Sequence, residues 1–389
     1  MEPREFEIAV IGGGIQGAGV AQAAAAAGYS VLLLERRDWG DGTSSRSSKL
    51  IHGGLRYLES GQWSLVRKAL AERSVLLRIA PGLVRPVPFL IPLYRNSQRR
   101  PWQVGLGLRL YRMLAAGADL SNFERLGLES DALPAQLKRG GLRAVFRYWD
   151  AQTDDRLLTR GVVASAAGLG VELNRGAELR EARAVNGGWR ISWQQGTERL
   201  EGSCRVLVNA TGPWVNRVMD RLNPRPRSLP MEMVQGTHLV LDAELGGAVY
   251  YLEAEDRRGV FAMPWQGRTL LGTTEVQYLG DPDDCTPTVA EERYLLATLA
   301  RYFDAQRPTV TTRYAGLRVL PSADGGFFDR PRDTVRLEEW DGMRGVITLY
   351  GGKLTTYRVT AVETVAVIAR HLGARAPRAD TASLLLPGC

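Results

Sequence analysis

The sequence predicts an α/β chain (α+β once its second part is counted): a frame of buried parallel strands and helices, interrupted by a patch of mostly antiparallel strands. Three observations predict it. An apolar strand, a glycine-rich turn and an Ala-rich helix open the chain. A second buried strand follows at once and ends on an acid. Between residues 221 and 312 the pattern changes to short alternating segments separated by turn residues. At 389 residues the chain exceeds one simple core, so two domains, or one domain with a large insertion, is the natural division.

Residues 6–35 organise the rest. Residues 7–11 read as a buried strand, Gly12, Gly14 and Gly17 fall in the spacing G-x-G-x-x-G, and the Ala-rich run to Ala27 reads as a helix. Residues 29–34 read as a second buried strand, closed by Glu35. The glycines let the backbone turn tightly and approach a pyrophosphate, whose charge the unpaired N–H groups and positive dipole end of the helix stabilise. Glu35, 23 positions after Gly12, is placed to accept hydrogen bonds from a ribose. A glycine-rich turn with no ligand would look the same locally. The flanking strand, helix and acid make this a Rossmann-like dinucleotide fingerprint.

Apolar content of 44% and charged content of 24% are those of a soluble globular protein. The net charge of +8 is carried by arginine, since Lys49, Lys68, Lys138 and Lys353 are the only lysines. It fits an anionic substrate or an anionic membrane surface, and equally an arginine-biased codon usage. No zinc spacing, basic tail or recognition helix is present, so no nucleic-acid partner and no metal site are expected. Cys204, Cys285 and Cys389 are far apart and odd in number, which points to a reducing compartment. Glu2, Glu5 and Glu7 stand where a secretory signal would be basic, and no uncharged run suits a spanning helix. A cytoplasmic chain with at most peripheral membrane contact is expected.

Residues 42–59 are too rich in hydroxyl residues and glycine to make a core, and read as a cradle around a polar ligand. Residues 62–79 read as an amphipathic scaffold helix. From Pro81 to about Trp149 the composition shifts: Pro86, Pro88 and Pro92 interrupt a strand-like run, and residues 95–102 form a basic turn. Residues 104–116 read as a basic amphipathic helix, with Leu106, Leu108, Leu110, Tyr111 and Leu114 among Arg109 and Arg112. Such a helix suits a membrane interface, its own domain, or a second subunit in a homodimer. Residues 150–169 read as a helix returning to the nucleotide layer, 171–174 as a strand, and 178–193 as a hairpin turned at Asn186, Gly187 and Gly188. The buried strand 205–208 ends in Asn209, Ala210, Thr211 and Gly212, small enough for a ligand to approach the backbone.

Residues 231–241, 248–252, 260–265 and 269–274 read as strands and 289–303 as a helix, an inserted substrate domain whose cleft faces the cofactor. Residues 314–318 are expected to return to the frame. The strand 346–350 runs into Gly351 and Gly352, a pair expected to open a second anion-binding helix. The expected domains are 1–80, 150–220 and 313–389 for nucleotide binding, and 81–149 with 221–312 for substrate binding and membrane contact.

Four separated blocks, residues 12–19, 43–59, 208–214 and 351–358, are similar in order and spacing to those of a known family. The chain resembles the FAD-dependent glycerol-3-phosphate dehydrogenases and related oxidases over nearly its whole length. The resemblance implies a Rossmann-like FAD-binding domain with an inserted antiparallel-sheet substrate domain. It implies oxidation of sn-glycerol 3-phosphate, a small phosphorylated substrate, to dihydroxyacetone phosphate, with hydride passing from C2 to N5 of FAD. Electrons would go on to quinone at the inner face of the cytoplasmic membrane.

Carried over by motif, Gly12, Gly14, Ile15, Gly17, Glu35, Arg36, Thr43, Ser44, Ser45, Ser48, Lys49, His52, Gly53 and Gly54 would hold FAD. So would Ala210, Thr211, Gly212, Trp214 and Gly316, with Gly352, Lys353, Leu354 and Thr355 at the isoalloxazine end. Arg56, Tyr57, His238, Arg318, Arg332, Lys353 and Thr355 would face the substrate. The chain departs from the family twice. It stops at Cys389, where the family usually continues into a helical C-terminal domain, as a short-form relative or a piece of a longer chain would. Val319 follows Arg318 where the family usually has proline.

An unactivated secondary alcohol is a poor acid near neutral pH, so the reaction needs a base and a positive field around the developing alkoxide. His238 is the single histidine of the expected substrate sheet and the candidate base, while His371 reads as structural. Arg56, Arg318 and Arg332 can fork phosphate oxygens, and Lys353 can hold flavin or substrate oxygens. Two rival readings stand beside this one: a flavin oxidase or dehydrogenase for another small anion, such as an amino or hydroxy acid, and a non-catalytic FAD-binding paralogue.

Overall fold

The computed structural model describes residues 4–115, 120, 122–304, 308–322 and 333–388. At its centre the strand Arg4–Ile11 runs parallel to Val31–Glu35 on one side and to Glu198–Asn209 on the other, with Ala9 level with Leu32 and Leu207. Glu172–Arg175 continues the parallel set beyond Val31–Glu35. Arg344–Tyr350 pairs parallel with the second half of Glu198–Asn209, whose first half pairs antiparallel with Gly188–Gln195. Among the described residues these and their neighbours make a nine-stranded sheet. Its central strands are buried on both faces, which is why they read as unbroken apolar runs. Each fully buried Val, Leu or Ile there contributes roughly 1.5–3 kcal/mol.

The helix Ile15–Ala26 is buried except at Gln16, and it packs between Asp155–Gly168 and Tyr357–Leu372. Its small residues allow the close approach: a Cβ on Gly19 would lie 2.7 Å from the Tyr357 ring.

Among the described residues a second sheet has ten strands. It is mostly antiparallel, built on Met231–Leu241 between Arg268–Gly272 and Val310–Pro321, with one parallel pair where Val249 lies opposite Phe89.

Four elements differ from expectation. The three prolines do not interrupt a strand, since Val84–Tyr94 is continuous against Leu142–Thr153. Pro86, Pro88 and Pro92 share one parity, so their missing N–H groups fall on one edge and the other keeps its ladder. The helix expected from 150 begins at Asp155, because Asp154 caps it by accepting from the amides of Arg156 and Leu157 at 3.0 and 3.1 Å. Val310–Pro321 does not return to the frame; it pairs with Met231–Leu241 in the second sheet, Gly316 opposite Gly236. Its first four residues are exposed or half-buried, as suits an antiparallel strand at the edge of a sheet rather than a central parallel strand buried on both faces. Gly351 and Gly352 do not open a helix directly. Both have positive φ, 71° and 109°, and the helix starts only at Tyr357.

Candidate functional site

A cavity of about 730 Å³ lies between the two sheets, and both Gly14 and Gly352 line it. The glycine turn and the loop after the last frame strand therefore open onto the same space, although far apart in the chain.

At the first strand end the turn depends on its glycines. Gly12 has φ 106°, and a Cβ there would lie 2.8 Å from the Ala210 carbonyl oxygen. A Cβ on Gly17 would fall 1.8 Å from the Gly12 oxygen, so Gly17 builds the turn without lining the cavity. Ser44 Oγ accepts from the Ile15 amide at 2.9 Å, taking one donor of the helix end. The Glu35 carboxylate accepts from the amides of Gly13 and Arg37, both at 2.7 Å. Burial raises its pKa, and these two bonds work against the rise. Arg36 lies over the Trp214 ring at 4.3 Å and pairs with Asp283, which also holds Arg37 at 2.9 Å.

The hydroxyl-rich block divides between the cavity and its support. Thr43, Ser44, Ser48, His52 and Gly54 line the cavity, with Thr43 Oγ1 donating to the Leu317 carbonyl at 2.8 Å. Ser45, Lys49 and Gly53, expected at the cofactor, do not line it. The Ser45 hydroxyl turns to the carbonyls of Asp41 and Gly42. Lys49 Nζ is buried against Asp155 at 2.5 Å and donates to the Ser45 carbonyl at 3.0 Å. Gly53 gives its amide to the Tyr111 hydroxyl at 2.8 Å. Their shared reason is that a loop this polar needs its own buried partners before it can hold anything else.

Beyond it Arg56, Tyr57, His238, Arg318, Lys353 and Thr355 all line the cavity, as do Ile15, Ala210, Thr211, Gly212, Gly316 and Leu354. Arg332 lies outside the described residues. His238 stacks on Tyr314, centroids 5.0 Å apart, and its Nε2 is 3.0 Å from Ser48 Oγ. Its Nδ1 is buried without a hydrogen bond among the described residues. Burial, then the charges of Lys49 and Arg318, push its pKa down to about 3, so the ring is neutral near neutral pH. Arg318 donates to Glu275 at 2.7 Å and to the Thr274 carbonyl at 2.9 Å. Arg258, whose Nη1 donates to the Glu275 carbonyl at 2.7 Å, also lines the cavity. Sequence reading missed Arg258, Glu275 and Arg99. They sit in an ordinary turn, a short connection and a basic run, and no spacing marks any of them.

The cavity suits an extended dinucleotide. Gly12, Gly14 and Gly352 leave backbone bare on its wall. Gln16 Oε1 and Trp214 Nε1, from residues that line it, are buried without a hydrogen bond among the described residues. Residues 7–358 match the family described as FAD dependent oxidoreductase. A glycerol-3-phosphate dehydrogenase of Pseudomonas aeruginosa is 37% identical over 98% of this chain and 75% of its own. A D-erythritol 1-phosphate dehydrogenase of Brucella abortus is 36% identical over 92% and 73%. The structure of a glycerol-3-phosphate dehydrogenase from Bacillus halodurans, complexed with FAD, superposes with a TM-score of 0.75 at 27% identity, covering 98% of this chain and 68% of that one. A bare glycine wall at the right strand end and kinship over nearly the whole length agree, and the chain belongs to the FAD dependent oxidoreductase family, in its glycerol-3-phosphate dehydrogenase branch.

Proposed function

We propose that this chain oxidises sn-glycerol 3-phosphate at C2 to dihydroxyacetone phosphate. The reading is carried by one observation: His238, Arg318, Arg56 and Lys353 share a cavity with the glycine turn of residues 12–14. FAD held in this cavity would supply the acceptor for the hydride from C2. The other steps fall to the chain's own groups. His238 takes the hydroxyl proton, its ring oriented by Ser48 and Tyr314. A doubly charged phosphate beside it offsets Lys49 and Arg318 and so raises its basicity on binding. Arg318 and Arg56, with Arg332, fork the phosphate oxygens, while Lys353 stabilises charge growing on the substrate oxygen.

In this reading the nine-stranded sheet carries the cofactor, held by the glycine turn, Glu35, Arg36, the hydroxyl block, residues 210–214 and residues 352–355. The ten-stranded sheet carries the substrate residues His238 and Arg318. Electrons pass on to quinone, and the protein works on the inner face of the cytoplasmic membrane. The helix Pro101–Leu114 supports that placement, since Trp102, Leu106 and Met113 lie on one stripe, 65, 57 and 74% exposed, with the exposed Arg109 among them. Among the described residues no helix is long and apolar enough to cross a membrane.

The test is anaerobic addition of glycerol 3-phosphate to the yellow protein, which bleaches the flavin absorption. A flavin left unreduced ends the proposal. A four-carbon polyol phosphate is the second reading, favoured by the Brucella abortus relative. Faster bleaching by erythritol 1-phosphate than by glycerol 3-phosphate selects it.

A further inference from the structure

The loop 52–57 carries Arg56 and Tyr57 into the cavity, and its two glycines give it little stiffness of its own. What holds it is a buried chain of polar groups from three other elements. The Gly53 amide donates to Tyr111 Oη at 2.8 Å, and that hydroxyl donates to Asp150 Oδ2 at 2.7 Å. The other Asp150 oxygen pairs with Arg73, which also donates to the Trp149 carbonyl at 3.2 Å. Arg73, Asp150 and Tyr111 are 0, 1 and 4% exposed. They come from the helix Trp63–Ile79, the strand Leu142–Thr153 and the helix Pro101–Leu114. A Cβ on Gly53 would lie 2.5 Å from the Tyr111 hydroxyl, so the contact requires glycine.

We propose that Tyr111, backed by the Asp150–Arg73 pair, is a positioning residue that fixes this loop and thereby sets Arg56 and Tyr57 against the substrate. A buried ion pair adds little net stability compared with apolar packing, but it points its hydrogen bonds in one direction. Here that direction ends on a backbone amide one turn before the substrate-facing residues. The proposal rests on the reading that Arg56 and Tyr57 bind the phosphorylated substrate.

Tyr111→Phe in the FAD-loaded full chain tests it. The variant keeps the ring, which meets Tyr148 edge-on at 5.9 Å, and removes only the hydroxyl. With flavin content unchanged, KM for glycerol 3-phosphate rises about tenfold while kcat stays within about twofold, and exchange of the Gly53 amide quickens at least about tenfold. Tyr250→Phe is the control: it deletes another buried hydroxyl, 2.8 Å from the Leu245 carbonyl and away from the cavity, and leaves KM and loop exchange as they were. Wild-type KM and wild-type Gly53 exchange in Tyr111→Phe overturn the proposal. If that variant does not fold, the wild-type holoenzyme decides. A Gly53 amide that exchanges slowly supports the proposal, and one that exchanges like open loop overturns it. Failure of the substrate reading shows separately, as wild-type flavin that glycerol 3-phosphate does not bleach.

Discussion

The ammonium of Lys353 sits 3.9 Å from the centre of the Tyr57 ring, so the loop after the last frame strand closes directly on the hydroxyl-rich block. A partly desolvated cation over an aromatic face is worth up to about 2 kcal/mol. Lys353→Met removes both this contact and the positive field at the cavity, and lowers the rate of flavin reduction by glycerol 3-phosphate about 100-fold in stopped flow. Tyr57→Leu costs about tenfold, because it loses both this hold on the lysine and its own place against the substrate. Lys353→Arg does not restore the rate, because a planar fork does not fit where a compact charge sits.

Gly12→Ala blocks cofactor loading. The new Cβ meets the Ala210 carbonyl at 2.8 Å, and φ of 106° strains any residue with a side chain. The purified variant is colourless, with a flavin content below about one tenth of wild type. A yellow Gly12→Ala protein would sink the assignment of this turn.

Asp283 lies in the turn Pro282–Asp284, just after the second-sheet strand Val276–Tyr278, yet it grips Arg36 and Arg37 just past the end of the frame strand Val31–Glu35. Arg36 in turn covers Trp214, a cavity residue. Asp283→Asn releases that clasp, and FAD leaves several-fold faster on dilution, read by the recovery of free-flavin fluorescence. These pairs are about one-third exposed, so salt weakens them. The wild type loses FAD faster as salt rises, and the variant responds less. Asp220→Asn, which breaks the 2.7 Å pair with Arg225 outside the cavity, changes neither.

His238 has a stability signature as well as a kinetic one. Its unfolded imidazole titrates near 6.5 and its folded one near 3, so between those values the unfolded chain binds the extra proton. Stability therefore falls as pH drops from about 6.5 toward 3, by up to about 1.4 kcal/mol per unit, and is unaffected above that window. His238→Gln flattens the melting temperature between pH 7 and about pH 4.5 relative to wild type, and slows flavin reduction at least about 100-fold at every pH. An equally steep acid loss in the variant would show that other groups carry it.

Trp102→Ser with Met113→Ser removes two exposed apolar side chains from the helix Pro101–Leu114 without touching its buried face of Val104, Leu108 and Tyr111. Thermal stability stays within about 1 kcal/mol, while binding to phosphatidylglycerol-rich vesicles at low salt weakens at least about tenfold. Unchanged vesicle binding would remove this helix from the membrane reading.

The frame was legible because its signals are local. The unbroken apolar strands, the spacing of Gly12, Gly14 and Gly17, and the acid at Glu35 each reflect one strand, one turn or one helix. The helix start at Asp155 is obscured within the same local code, since Asp154 is an ordinary capping residue with a strand running up to it. Residues 314–318 read as a return to the frame yet pair in the second sheet for a different reason: a strand's partner is chosen by which face it must bury, and that face lies elsewhere in the chain.

Sequence alone determined the nucleotide-binding frame and the two glycine-rich loops, and the family resemblance named His238, Arg318, Arg56 and Lys353 as candidates. Only the tertiary structure decided that Gly14 and Gly352 open onto one cavity, that Lys49 and Gly53 support its wall instead of lining it, and that Arg258 and Glu275 belong to it. Backbone spacing fixes what happens within a turn or a helix. Which buried polar groups satisfy one another is settled where two sheets close on the same space, and no stretch of chain carries that information by itself.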